Sequence, residues 1–279
     1  MIDSTLQKQL RDKFNPEGSR LRNLQLRIVE ILEYIDSICK KNGIKYCASS
    51  GTCLGAARHG GFIPWDDDGD VEMTQNEYRR FRKAVIADNN PRFRFYDHSD
   101  DPEYVVRFGK VIDLKPIDVG NPKLDAVSQY VSHKGAYVDI LILAPSNSKF
   151  LHYIGGRLHR IFLLRLNYIR TAWLRRGLKR INFFLFDRLV YPLMQCIQRP
   201  WAGDTMRHIT GVEFTPVRSR MMLENTIRIP FESIKISVPE NYEAYLTNLY
   251  GDYNRIPDIE ELTPHMAGIN DTSGDKQAD

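Results

Sequence analysis

The stretch of this sequence most able to do chemistry is Pro64-Trp65-Asp66-Asp67-Asp68-Gly69-Asp70-Val71-Glu72. Closely spaced aspartates repel one another, and an extended chain is a poor host for them unless something balances their charge. If the segment is a strand, alternate side chains share a face. That groups Asp66, Asp68, Asp70 and Glu72 and turns Asp67 away. Carboxylates converging on one face suit a hard divalent cation that takes oxygen ligands, Mg²⁺ or Mn²⁺. A solvated acidic loop would need neither Trp65 before it nor Val71 and Met73 after it, and the spacing is not that of an EF-hand.

A second acid stands out for the opposite reason. Ala136 to Leu143 reads Ala-Tyr-Val-Asp-Ile-Leu-Ile-Leu, a strand buried on both faces, and Asp139 lies inside it. Such an acid is costly unless paired or metal-bound, so Asp139 is a candidate ligand from a neighbouring strand. Upstream, Ser49-Ser50-Gly51-Thr52 falls between a strand and a helix. Small side chains there admit close approach, and backbone N–H groups at a helix start hold phosphate. A phosphate cradle beside carboxylate-held metal is the apparatus of in-line displacement at phosphorus.

The elements that must position these groups follow from periodicity. Leu21, Leu24, Ile28, Ile31, Leu32, Ile35 and Ile38 predict an amphipathic helix over 20–42, stopped by Gly43. Strands are expected at Ile44–Ala48, Asp66–Met73, Arg92–Tyr96, Tyr104–Leu114, Ala136–Leu143 and Lys235–Val238. Helices are expected at 54–57, 75–88 and 242–249. Helices alternating with strands argue for an α/β or α+β layer structure. The polar end of the chain lacks periodicity and reads as disordered.

The run Ser-Ser-Gly-Thr-Cys-Leu-Gly-Ala-Ala-Arg-His-Gly-Gly-Phe-Ile-Pro-Trp-Asp-Asp-Asp-Gly-Asp-Val-Glu-Met, Ser49 to Met73, strongly resembles the LicD family. These are phosphocholine transferases of bacterial surface glycans, grouped with fukutin and fukutin-related protein. Phe108-Gly109-Lys110-Val111, Tyr137-Val138-Asp139-Ile140 and Tyr250-Gly251-Asp252-Tyr253 resemble its later segments, so the likeness covers about 25–145 and 220–265. It implies an α+β, nucleotidyltransferase-like mixed sheet flanked by helices, with Asp68, Asp70 and Asp139 as catalytic metal triad and Asp66 as a further ligand. Gly51, Thr52, Arg58, His59 and Lys110 become candidate donor-phosphate contacts. For Arg58 and His59 the alternative is buttressing the acidic strand, and His265 is an additional candidate. Two positions depart from the family: Gly69 replaces a bulky aliphatic residue, which would loosen strand packing, and Leu141-Ile142-Leu143 replaces a segment with a second Asp.

The activity so implied is Mg²⁺- or Mn²⁺-dependent transfer of a phospho-alcohol from a CDP-linked donor, foremost CDP-choline. The acceptor would be a glycan or lipid-linked glycan of lipopolysaccharide, capsule or teichoic-acid type. The alternatives are a nucleotidyltransferase, a CDP-ribitol or CDP-glycerol transferase, and an inactive membrane-associated assembly factor.

The formal charge of +4 conceals an uneven distribution. Residues 149–200 hold eleven Lys or Arg against Asp187 alone, net +10, while the remainder has 28 basic against 34 acidic residues, net −6. The expected organisation is a core at 1–148, a basic amphipathic helical insert at 149–200, the C-terminal part of the domain at 201–268 and a tail at 269–279. The insert fits either an anionic membrane surface or packing on the core. No nucleic-acid motif accompanies its charge, so that partner is not expected. The four cysteines form no CxxC pair and read as buried thiols. Asp3, Lys8, Arg11 and Asp12 occupy the N-terminal stretch where a signal peptide needs an apolar run, and no stretch reaches about 18 uninterrupted apolar residues. The expected location is cytoplasmic, with the inner membrane face as the place of attachment if the insert binds lipid.

Overall fold

The computed structural model describes residues 2–101, 103, 104, 106–115, 135–146, 148–208 and 217–258; His265 and the tail lie outside them. Helix α2, Arg20–Asn42, follows from local signals. Ser19 Oγ accepts the Arg22 N–H at 3.1 Å, and Gly43, at φ +58°, ends the helix in the left-handed conformation that suits glycine. All seven apolar positions singled out by their spacing are buried. Before it runs α1, Ser4–Phe14, capped by the Asp3 carboxylate.

Seven strands form one mixed sheet in the order β1 (Cys47–Ala48), β2 (Asp70–Thr74), β5 (Tyr137–Pro145), β4 (Gly109–Asp113) and β3 (Phe93–Tyr96). Strand β6 (Thr205–His208) pairs with β5, and β7 (Arg218–Ser219) with β6. Only β2 and β5 run parallel; the other pairings are antiparallel. Leu143 pairs with Thr74 of β2 and with His208 of β6, so β6 continues on the side of β5 where β4 has ended.

Helix α3 (Ser50–His59) connects β1 to β2, and α4 (Gln75–Asp88) follows β2. One face of the sheet, with Val71, Met73, Val138, Ile140 and Ile142, joins α2 and α4 in the main core. The opposite face carries the polar row described below, bordered by small cores around Tyr104 and around Leu143. After β5 come α5 (Lys149–Leu166), α6 (Ala172–Leu185), a π-helical turn (Phe186–Val190) and α7 (Tyr191–Ala202). The chain continues through α8 (Met221–Glu224), the hairpin β8 (Thr226–Phe231) and β9 (Ile234–Pro239), and α9 (Tyr242–Tyr250). The architecture is the expected α+β one, a mixed sheet flanked by helices.

Several local expectations need correction. The strand expected from Asp66 begins at Asp70; Asp66 to Gly69 are irregular after a turn at Pro64-Trp65. Helix α3 starts at Ser50 and absorbs Gly51 and Thr52, read from sequence as loop. Gly69 does not loosen the packing. A Cβ there would lie 2.8 Å from Ile28 Cγ2 and 3.3 Å from Val138 Cγ2, so the core fills the space a larger residue would occupy. Of the cysteines, Cys39, Cys47 and Cys53 are buried thiols, but Cys196 is exposed. Among the described residues no helix is long and apolar enough to cross a membrane.

Candidate active site

Register builds the site. Asp70 of β2 pairs with Asp139 of β5, which pairs with Lys110 of β4, so three adjacent strands bring these residues into one row across the sheet. The backbone of each acid is fixed. The Asp70 N–H donates to Thr52 Oγ1 at 2.8 Å, and the Asp139 N–H to the Gly69 carbonyl at 2.8 Å. Lys110, almost fully buried, donates through Nζ to Asp139 Oδ1 and lies 3.5 Å from the centroid of the Tyr137 ring.

Beside the row, Asp66, Asp67 and Asp68 each offer a carboxylate oxygen within 4.8 Å of the others. Asp67 therefore belongs to the cluster, against the alternation argument, because the chain is not yet a strand at that point. The turn is held from behind: Gln25 of α2 donates to the Asp66 carbonyl at 2.8 Å and accepts from Asn15 at 2.6 Å. Trp65 packs edge-on against Phe14 of α1.

Burial raises the Asp66 carboxyl well above the usual range, and the neighbouring Asp68 and Asp67 charges add to it. Burial likewise raises Asp70, reinforced by Asp68, Asp139 and Asp66 and opposed by Lys110. Asp70 is surrounded by protein yet keeps partial solvent access. Clustered hard oxygen donors whose ionisation is disfavoured by burial and by one another fit a divalent cation of the Mg²⁺ type.

The start of α3 lies directly against this cluster. A Cβ on Gly51 would approach Asp66 Oδ2 to 2.7 Å, so glycine is what lets the helix come this close. Ser50, at φ +45°, adopts a left-handed conformation rare for a residue with a side chain, and the Tyr245 hydroxyl accepts its N–H at 3.0 Å. Thr52 is buried and uses its hydroxyl on the Asp70 backbone, so it orients the strand rather than facing a ligand.

Arg58 and His59 are brought elsewhere. The Arg58 guanidinium donates to His59 Nε2 and to the carbonyls of Tyr253 and Arg255, and burial pushes its pKa down to about 10. With Nε2 accepting, His59 Nδ1 donates to Gln7 Oε1 at 2.6 Å. Burial and the nearby Arg58 and Arg11 charges hold the ring at about 3, hence neutral. These hydrogen bonds tie α3 to α1 and the C-terminal segment, and the His59 ring lies edge-on to Trp65, at the entrance to the acidic segment, with centroids 6.2 Å apart.

His208, Arg218 and Tyr250 are site components that sequence reasoning does not find. Glu72 shares the face of Asp70, but its carboxylate accepts from Ser49 Oγ at 2.7 Å and Arg218 Nη2 at 3.1 Å and meets His208 Nε2 at 2.7 Å. Burial alone would raise it; His208, Arg218 and Ser49 outweigh burial and hold it at about 2. No local pattern marks His208 or Arg218 as its partners. Tyr250, at the end of α9, has its phenol pushed up by burial and by the Asp66 and Asp70 charges, which puts it at the edge of the cluster.

Comparison with known proteins agrees with this construction. The family model "LicD/FKTN/FKRP, nucleotidyltransferase domain" matches residues 43–160, which contain Gly51, the aspartate cluster, Lys110 and Asp139. The lipopolysaccharide cholinephosphotransferase LicD of Haemophilus influenzae is 28% identical over 269 residues, covering 88% of this chain and 95% of that protein. An uncharacterized protein of Rickettsia prowazekii is 24% identical over 174 residues, 45% of this chain and 65% of that one. Another, from Rickettsia typhi, is 38% identical over 60 residues, 22% of this chain and 19% of that protein. The row of Asp70, Asp139 and Lys110 thus lies within the segment that is similar to the LicD/FKTN/FKRP nucleotidyltransferase domain.

Proposed function

We propose that the protein is a metal-dependent phosphotransferase that moves phosphocholine from CDP-choline to a sugar hydroxyl of a lipopolysaccharide-type surface glycan. The observation that carries the reading is the carboxylate cluster around the paired strands β2 and β5, with Lys110 at its edge. Similarity to a lipopolysaccharide cholinephosphotransferase over most of both chains supports phosphocholine transfer among the chemistries the cluster could serve.

Asp66, Asp68, Asp70 and Asp139 would hold Mg²⁺ or Mn²⁺, which supplies charge neutralisation at a diphosphate and lowers the pKa of a bound hydroxyl. The residues of the chain do the rest. The close approach of α3 at Gly51 aims the positive end of a helix at the anionic site. Lys110 shields Asp139 and offers positive charge where the donor phosphate would lie. Asp139, on the row beside Asp70, would either complete the metal site or accept the proton of the attacking hydroxyl. In the transfer the sugar oxygen forms a bond to phosphorus, the bond from that phosphorus to the CMP oxygen breaks, and CMP leaves as the monoester.

The test is incubation of the purified chain with CDP-choline, CDP-ribitol or CDP-glycerol, Mg²⁺ and a glycan acceptor, followed by mass spectrometry. CMP release with a gain of phosphocholine on the acceptor, abolished by EDTA, is the expected result. Transfer of CMP itself to the acceptor, or turnover only of another CDP-alcohol, overturns the assignment. Turnover unaffected by EDTA overturns the metal.

A further inference from the structure

Helix α6 is built inside out. Its inward positions include Lys179 at 0% and Asn182 at 3% exposure, while Trp173 at 75% and Phe184 at 61% face solvent together with Ile181 at 55%. The orientation is fixed by polar anchors. Lys179 and Arg175 donate to Glu103, Arg107 pairs with Asp187, and the His98 ring stacks on Phe183 with centroids 4.2 Å apart. The neighbouring helices repeat the pattern. Leu189, Leu193, Ile197 and Trp201 recur at every fourth position and all are exposed, and α5 exposes Phe150, Leu158 and Phe162. Of the 20 large hydrophobic side chains exposed among the described residues, 15 fall between 150 and 201. So strong a concentration marks a surface that is covered in use.

Charge identifies the cover. Arg157, Arg165, Arg176, Arg180, Arg188 and Arg199 are exposed on the same helices, and Asp187, the lone acid of 149–200, is engaged by Arg107. A second copy of this surface would set arginine against arginine. An anionic bilayer offers an apolar layer for the aromatic and aliphatic side chains and a negative headgroup layer for the arginines, at the depth each needs. We propose that α5–α7 dock the protein on the surface of an anionic lipid bilayer, lying in the interface without crossing it. This surface stands whichever donor the active site takes.

The tryptophans make the test direct. Trp65 is buried, whereas Trp173 and Trp201, the other two, are exposed on the docking helices, so intrinsic fluorescence reports their transfer into lipid. The full chain is mixed at low salt with vesicles of phosphatidylcholine alone or of phosphatidylcholine with phosphatidylglycerol. Co-sedimentation with the anionic vesicles, accompanied by a blue shift of emission, is expected. Trp173→Ser with Trp201→Ser should remove the shift, and Arg176→Glu with Arg180→Glu should weaken binding by about tenfold or more. Circular dichroism and thermal melting confirm that each variant is folded. Absence of binding to anionic vesicles overturns the proposal, as does binding without a blue shift. Self-association or capture of an acidic protein in place of lipid binding overturns it as well.

Discussion

Replacing Asp70 by asparagine separates the burden of the carboxylate from its use. The side chain keeps its shape, and the Asp70 N–H still donates to Thr52, so the perturbation is one of charge. Carboxylates on paired strands or across a short turn stand roughly 5–6 Å apart, which at an effective dielectric near 20 is about 3 kcal/mol of repulsion per pair. Asp68, Asp139 and Asp66 act on Asp70 in this sense and Lys110 against it. Proton uptake relieves part of the strain, leaving a net penalty of about 1–2 kcal/mol at neutral pH. In EDTA, Asp70→Asn is therefore expected to melt about 2–8 °C above the wild type. A buried acid with a raised pKa favours the folded state below its unfolded pKa and loses that advantage as pH rises. The gain of the variant should vanish near pH 4 and grow above it. Mg²⁺ should reverse the order: at about a hundred times its dissociation constant it adds about 2.7 kcal/mol to the wild type and little to the variant. The assay is thermal melting of both proteins over a pH series, with EDTA or with Mg²⁺. A variant less stable than wild type in EDTA at neutral pH, with an equal response to Mg²⁺, would refute the reasoning.

Three other substitutions probe the supports. Gly51→Ala must displace the Asp66 carboxylate, since a Cβ would come within 2.7 Å of it. Weakened Mn²⁺ binding by titration calorimetry is expected, with a melting loss of only a few degrees. Lys110→Met leaves Asp139 without its ammonium partner and should destabilise the metal-free protein by roughly 1–3 kcal/mol. Mg²⁺ should restore part of that loss in urea unfolding, and a deficit unchanged by Mg²⁺ would contradict a shared site. Glu72→Gln removes a carboxylate held at about 2, below its ordinary 4.5, and should cost roughly 2–4 kcal/mol at neutral pH. Because a depressed acid stabilises the fold above its unfolded pKa, that loss should shrink as pH falls below about 4.5 toward 2. A loss independent of pH in chemical denaturation would show that packing, not charge, is responsible.

How far the sequence discloses this molecule depends on whether a feature is local. Helix α2 is legible because its apolar spacing and Gly43 lie within one segment; the Ser19 cap is equally local but is not part of that reading. Asp139 was legible because an acid in a wholly apolar strand contradicts its surroundings. The acidic segment was legible in kind but not in geometry, since alternation was applied four residues before the strand begins. What shapes those residues is the Trp65 turn and the side chain of Gln25, neither visible as a spacing. Arg58 and His59 carry the right chemical types, yet the helix that bears them turns both toward α1 and the C-terminal segment. The His208 and Arg218 partners of Glu72 come from β6 and β7, more than 130 residues away, and only the closing of the sheet reveals them. Two further elements carry local signals of their own. Asp3 followed by Leu6, Leu10 and Phe14 is a capped helix, and Ile227, Ile229 and Phe231 alternate as a strand should.

The pairing of β5 with β6 has an architectural consequence. Leu143 faces His208, Pro145 faces Met206, and the Ser146 N–H donates to the Thr205 carbonyl at 3.1 Å. The chain thus leaves the sheet at Ser146 and re-enters it at Thr205 as the two arms of a single hairpin. Everything between is, topologically, the loop of that hairpin. Its length and content are decoupled from the register that aligns Asp70, Asp139 and Lys110. The hairpin junction and the anchors of Glu103, Arg107 and His98 are then what hold this long excursion to the sheet, while the strand register that aligns Asp70, Asp139 and Lys110 is set outside it.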